Sequence, residues 1–201
     1  MSASGNEAEA LVDAAERGAI EEVRRLLSAG VEVDARAADG RTALLAALGE
    51  GGVETAALLL ERGAVAAVDA HGLGPLHHAV GSGQRSVILL GLDLASGPDP
   101  RDKVGMTPMT WAVLLDDRVA IDLLLDAGAN PDEADNDGWT PLHHAAAKGN
   151  TFAIKRLLAR GAHALKRLPS GHSAKDLARY YATDPEACIV LEAAEALLEI
   201  T

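Results

Sequence analysis

The feature that most constrains this chain is self-similarity at a fixed period. "GWTPLHHAAAKGN" at 138–150 aligns with "GMTPMTWAVLLDD" at 105–117, "GLGPLHHAVGSGQ" at 72–84 and "GRTALLAALGEGG" at 40–52. "GHSAKDLARYYA" at 171–182 keeps the same frame. The anchor residues Thr42, Gly74, Thr107, Thr140 and Ser173 are spaced 32, 33, 33 and 33 apart. Stepping back 33 from Thr42 reaches Glu9, and "ALVDAAERGAIEEVRRLLSAG" falls into register. A period of this length means stacked supersecondary units, none of which buries its apolar face alone.

Each unit reads as a pair of short helices. Thr at the anchor supplies an N-cap oxygen for orphan backbone N–H groups, and Pro75, Pro108 and Pro141 follow at the first helical position. Gly18, Gly51, Gly83 and Gly149 end the first helix where a left-handed turn is needed. A second helix carries paired leucines in "RRLLSAG", "LLLERG", "LLLDAG" and "RLLARG". Helices of about ten residues are marginal alone in water, so stacking must stabilise them. The chain is predicted to be all-α, with about six helix-pair units: four internal repeats plus N- and C-terminal caps. Expected boundaries are a disordered tail at 1–6 and one domain at 7–201, with units near 7–36, 37–68, 69–101, 102–134, 135–167 and 168–201. The outer units should present polar faces. The last helix, near 185–199, should be the longest and turn Ile189, Val190, Ala193 and Leu197 inward.

These residues resemble the ankyrin-repeat family. The D-x-x-G-x-T-P-L-H-x-A pattern is nearly complete at 135–145 and partial at 69–79 and 102–112. The resemblance implies antiparallel helix pairs joined by outward-pointing hairpin loops in a curved stack. It also implies that hairpin tips and first helices line a concave surface for a protein partner. In the family the first His of TPLH is structural, which assigns His77 and His143 to the scaffold. His78 and His144 take the next position, where the intervening unit has Trp111, and are expected to line the groove.

Histidine pairs invite a metal reading, but the spacing opposes it. Adjacent helix residues diverge by about 100°, and i,i+4 spacing would be required for a chelate. Units two apart lie roughly 16–20 Å from each other at ordinary helix packing distances, too far for one zinc ion with bonds of about 2 Å. No HExxH, GxxxxGK[ST] or GxSxG occurs, and "GSGQRS" at 81–86 falls at a helix–helix turn rather than after a strand. Neither a metal, a cofactor nor a catalytic set is expected. Cys188 reads as a small core residue of the terminal helix.

Composition narrows the partner. A net charge of −12 argues against sequence-independent nucleic-acid binding and against an anionic membrane surface. With 2% aromatic residues the core must be aliphatic. The N-terminus lacks a basic stretch followed by an apolar run, so a cytoplasmic protein is expected.

Departures from the repeat are where function is sought. Unit four has Asp116 where other units carry Gly, a position needing positive φ. Before it stand Leu114 and Leu115, where others show Gly49 and Glu50, Gly81 and Ser82, or Ala147 and Lys148. Hairpin tips run Arg41, Leu73, Met106, Trp139 and His172. Apolar residues on loop tips suggest a covered surface. The expected partner-binding set is Leu73, His78, Met106, Trp111, Leu114, Leu115, Trp139, His144 and His172. Unit three is irregular: "GLDLASGPDPRDKVG" lengthens a helix end or loop and trims the next hairpin, either as a recognition loop or as a tolerated irregularity.

Charge is segregated. Residues 116–137 hold eight acids and one base, while 148–175 hold seven bases and no acid. Either adjacent units attract along a shared edge, or the charges steer a partner. The function expected is a non-catalytic protein-binding module (adaptor, inhibitor or immunity-type protein). Its partner should have a basic or apolar surface, and the chain should be a monomer. The alternative is a small-molecule enzyme or binder using His78, Trp111 and His144, with Asp116 and Asp117. A structural linker is a third possibility.

Overall fold

The computed structural model describes residues 3–181 and 184–198. Among them are twelve helices: α1 Ala3–Glu16, α2 Ile20–Ser28, α3 Ala43–Gly49, α4 Val53–Glu61, α5 Pro75–Gly81, α6 Arg85–Leu94, α7 Pro108–Leu115, α8 Arg118–Asp126, α9 Pro141–Lys148, α10 Thr151–Ala159, α11 Ala174–Tyr181 and α12 Pro185–Leu198. No strand occurs among the described residues; Arg167 and Ser173 form an isolated antiparallel bridge. Where one domain was expected, the chain divides into two compact units, Met1–Lys103 and Val104–Thr201. The division falls inside the irregular segment of the third repeat.

The sequence signals act where they stand. The hydroxyls of Thr42, Thr107 and Thr140 each accept the backbone N–H three residues on, at 3.4 Å. Gly74 has no such oxygen. Gly18, Gly51, Gly83 and Gly149 all have positive φ, and Asp116 is the one non-glycine among the described residues to join them, at φ 55°. Asp tolerates this left-handed conformation at some cost.

In the first unit α3 packs on both α1 and α5, while α2 packs on α4. First helices thus form one row and second helices another. The core is aliphatic, with Leu11, Leu44, Leu48, Leu59 and Val87 buried in one cluster. In the second unit α9 packs on both α7 and α11, and α10 on both α8 and α12. Met109, Ile121, Leu124, Leu142 and Ile154 are fully buried there.

The hairpins between pairs close by backbone bonds, with Asp69 N–H donating to Leu73 O at 3.0 Å and Asp135 N–H to Trp139 O at 2.9 Å. Successive hairpins are tied as well. Ala70 N–H reaches Asp39 O at 3.0 Å, and Asn136 N–H reaches Val104 O at 3.0 Å.

The ends of the chain differ in places from the repeat-based expectation. Helix α1 begins at Ala3, so residues 3–6 are helical rather than a disordered tail; residues 1 and 2 lie outside the described residues. Glu9 falls within α1 instead of at a helix start, and its carboxylate accepts Ala38 N–H at 2.7 Å. Among the described residues helix α12 has 14 residues, equal to α1 and longer than the other ten helices; residue 199 lies outside them.

The inward face of α12 differs from the expected Ile189, Val190, Ala193 and Leu197. Ala187, Leu191 and Glu195 are buried, whereas Ile189 is 63% and Leu197 69% exposed. Glu195 is admitted because Lys175 pairs with it. The exposed side of α12 therefore carries Ile189 and Leu197 alongside the charged Glu186 and Glu192.

The charge blocks of the second unit meet each other. Arg156 bonds Asp122 at 2.5 Å, Arg160 pairs with Asp126, and Lys166 Nζ donates to Asp132 O at 3.0 Å. Neighbouring repeats attract along a shared edge. Such exposed pairs contribute about 0–1 kcal/mol each.

Candidate protein-interaction face

The TPLH histidines behave as helix-start scaffolding. His143 Nδ1 accepts Thr140 N–H at 3.2 Å and lies 2.8 Å from the Thr140 hydroxyl. Its Nε2 is 3.1 Å from Lys166 O, which makes Nε2 the protonated nitrogen, donating to that carbonyl. His77 Nδ1 likewise accepts Gly74 N–H, at 3.3 Å. Both rings are buried.

Burial pushes the His143 imidazole below its ordinary value, against the opposing pull of the Lys166 carbonyl; it does the same to His78, against Asp69. A histidine with a depressed folded pKa favours the neutral form, so its contribution to stability is present above the unfolded value of about 6.5 and is lost as pH falls. His143→Ala is expected to cost about 1–3 kcal/mol at pH 7.5, since it leaves two buried polar groups without a partner. The gap from the unsubstituted protein should narrow at pH 5, where the native imidazole itself becomes a liability. Urea unfolding of both proteins at the two pH values checks this; a gap that widens in acid would contradict the assignment.

His78 and His144 each close on an aspartate of the preceding hairpin. His78 Nε2 is 3.2 Å from Asp69 Oδ2, and His144 Nε2 is 3.0 Å from Asp135 Oδ2. Each histidine side chain is 13% exposed. The partner aspartates use their other oxygen to hold the hairpin: Asp135 Oδ1 accepts Asp137 N–H at 3.0 Å and Trp139 N–H at 2.9 Å. Asp69 does the same for His71 and Leu73. The ring thus ties hairpin to helix. The Asp–His separation of nine residues, repeated in 69/78 and 135/144, was the signal available in the sequence.

This arrangement weakens the small-molecule alternative. Its two histidines are occupied, and Asp117 caps α8 by accepting Val119 N–H at 2.9 Å and Ala120 N–H at 3.0 Å. Asp116 accepts from Asn150 Nδ2 at 2.8 Å. Among the described residues no group of three or more His, Cys, Asp or Glu is placed to hold a metal. Cys188 is free and half-buried.

The rest of the expected set, His172 apart, is apolar. In the second unit Met106, Trp111 and Leu114 are half-buried, and Leu115 is 52% exposed. Trp139 lies at its hairpin tip with its ring tilted on His144, centroids 5.1 Å apart. Trp139 and His172 line a recess of about 490 Å³ with Tyr180 and Tyr181. Those tyrosines were missed, although the register points to them: stepping 33 and then 33 from Leu114 and Leu115 gives Ala147 and Lys148, then Tyr180 and Tyr181. In the first unit Leu73 is half-buried at its hairpin tip. The irregular third repeat builds an open recess of about 760 Å³, lined in part by Val68, Pro75, Leu94, Pro98 and Pro100.

No helix among the described residues is long and apolar enough to cross a membrane. No curated protein matches the chain. A family model described as ankyrin repeats in three copies matches residues 11–94 and 87–167. Ankyrin repeats generally mediate protein–protein interaction. With twelve helices paired at this period and the family model covering most of its length, the chain belongs to the ankyrin-repeat family.

Proposed function

We propose that the second unit binds a partner protein through Met106, Trp111, Leu114, Leu115 and Trp139, as a non-catalytic adaptor, inhibitor or immunity-type protein. Leu73 on the first unit is a further contact. The proposed partner is basic or apolar, and the chain acts as a cytoplasmic monomer.

One observation carries this reading. Helix α7, "PMTWAVLL", has no charged residue on any side. Its inner side is spent on the core, with Met109, Thr110, Ala112 and Val113 buried. Its other side presents Trp111, Leu114 and Leu115. A helix that is apolar all round belongs in a covered position. The same register elsewhere is solvated, with Glu50, Ser82 and Lys148 matching Leu115. A cluster centred on Trp is the kind of surface that concentrates binding energy.

The test is recovery of the native partner from the source cell with matched variants. Trp111→Ala is expected to keep the thermal midpoint within a few degrees and to lose partner affinity by about 2 kcal/mol or more, roughly thirtyfold. Leu115→Lys should behave alike, while Val119→Lys, at a 43% exposed site on α8, should change nothing. Unfolding of the Trp111→Ala protein, or unaltered recovery by both the Trp111→Ala and Leu115→Lys proteins, would refute the face.

A further inference from the structure

The chain is poor in aromatics, with two Trp, two Tyr and one Phe. Three of these five, Trp139, Tyr180 and Tyr181, line one recess between the hairpin tips and α11. Tyr180 is 84% and Tyr181 62% exposed, so neither ring contributes much to the core. Their centroids are 5.5 Å apart with planes at 55°. Leu168, Pro169 and Leu177 complete the apolar lining.

The polar side chains at this recess include a carboxylate. Asp176 Oδ2 accepts Ser173 N–H at 2.9 Å and the Ser173 hydroxyl at 3.0 Å. These bonds, the backbone one foremost, hold the acid below its usual value. Arg167 Nη1 lies 3.6 Å from the same oxygen, but it donates to Gly171 O at 2.7 Å and is not part of the lining. Lys175, the next residue, is drawn away by Glu195.

Aromatic faces carry negative quadrupole charge and attract cations. Ring faces beside an ionised carboxylate suit a cation better than an anion, and better than a neutral apolar group, which gains nothing from the acid. Between the two side-chain cations, guanidinium fits better. It is planar and weakly hydrated, so it can stack on a ring while its fork addresses a carboxylate; ammonium is compact and strongly hydrated. The chain's charge of −12 favours the approach of such a ligand.

We propose that this recess binds an arginine side chain of the partner protein. The inference rests on the protein-binding reading above and adds the chemistry of one anchor point.

The experiment uses the full chain labelled with nitrogen-15, following the two Trp indole N–H resonances, assigned with Trp111→Phe. The probes are acetyl-Gly-Arg-Gly-amide and the same peptide with citrulline or norleucine at the centre. The arginine peptide should shift the Trp139 resonance saturably and leave that of Trp111 in place. Citrulline, similar in shape but uncharged, should bind at least about fivefold more weakly. Tyr180→Leu should weaken arginine binding by about five- to thirtyfold, whereas Tyr180→Phe, which keeps the ring face, should preserve it. Tyr180→Leu should also reduce recovery of the native partner.

Equal binding of the norleucine or citrulline peptide, or an unmoved Trp139 resonance, would overturn the proposal. So would unchanged partner recovery by Tyr180→Leu. The peptide titration reads the recess alone, whereas the Trp111 and Leu115 variants read the α7 face. Failure of one is therefore distinguishable from failure of the other.

Discussion

Replacing Gly91 with leucine is expected to destabilise the first unit by about 3 kcal/mol or more, although leucine is what the repeat pattern calls for. Leu59, Leu124 and Leu157 occupy the matching register in α4, α8 and α10, and all three are fully buried. In α6 the glycine lets the backbone approach α5. A Cβ placed on Gly91 would lie 2.6 Å from Ala79 Cβ and 3.2 Å from Leu76 Cα. No rotamer removes a clash that begins at Cβ; α6 would have to move as a body. The same helix is ten residues long, where its counterparts α2, α4, α8 and α10 have nine, and it ends in the extended Ala95. Gly91→Ala already brings in that contact and should cost about 1–3 kcal/mol. Urea unfolding followed by circular dichroism measures both. A stabilised Gly91→Leu protein would mean that α6 sits in the ordinary register after all.

The second large effect contrasts two leucines of the other unit. Leu124→Ala should cost about 2–5 kcal/mol, because the side chain is fully buried and its removal leaves a cavity. Leu115→Ala, at a site 52% exposed, should stay within about 0.5 kcal/mol. Both lie within "WAVLLDDRVAIDLLLD", where composition does not separate them. The unfolding midpoint of each variant is the measurement. A Leu115→Ala protein as unstable as Leu124→Ala would place Leu115 in the core and remove it from the binding face.

The sequence by itself determined the period, the helix pairs and their punctuation. Thr caps, Pro at the first helical position and Gly in left-handed turns are local requirements of the backbone, and repetition makes each confirm the others. Even the exception was legible: Asp116 had to adopt positive φ because its place in the repeat demands it, and it does. The charge blocks could also be read, since residues 33 or 34 apart lie side by side in a stack.

Only the tertiary structure decided which partner each side chain turned to. The pairing of His78 with Asp69 and of His144 with Asp135 emerged only in the fold, because ring direction depends on where the hairpin folds back. Helix α12 buries Ala187, Leu191 and Glu195 instead of its most apolar stripe. A terminal helix has neighbours on one side, and fit against α10 and α11, with Lys175 neutralising Glu195, outweighs hydrophobicity alone. Tyr180 and Tyr181 gain meaning only beside Trp139 and Asp176, residues that are distant along the chain and adjacent in the fold. Backbone geometry is encoded position by position, whereas a site is a meeting of side chains that the stack brings together.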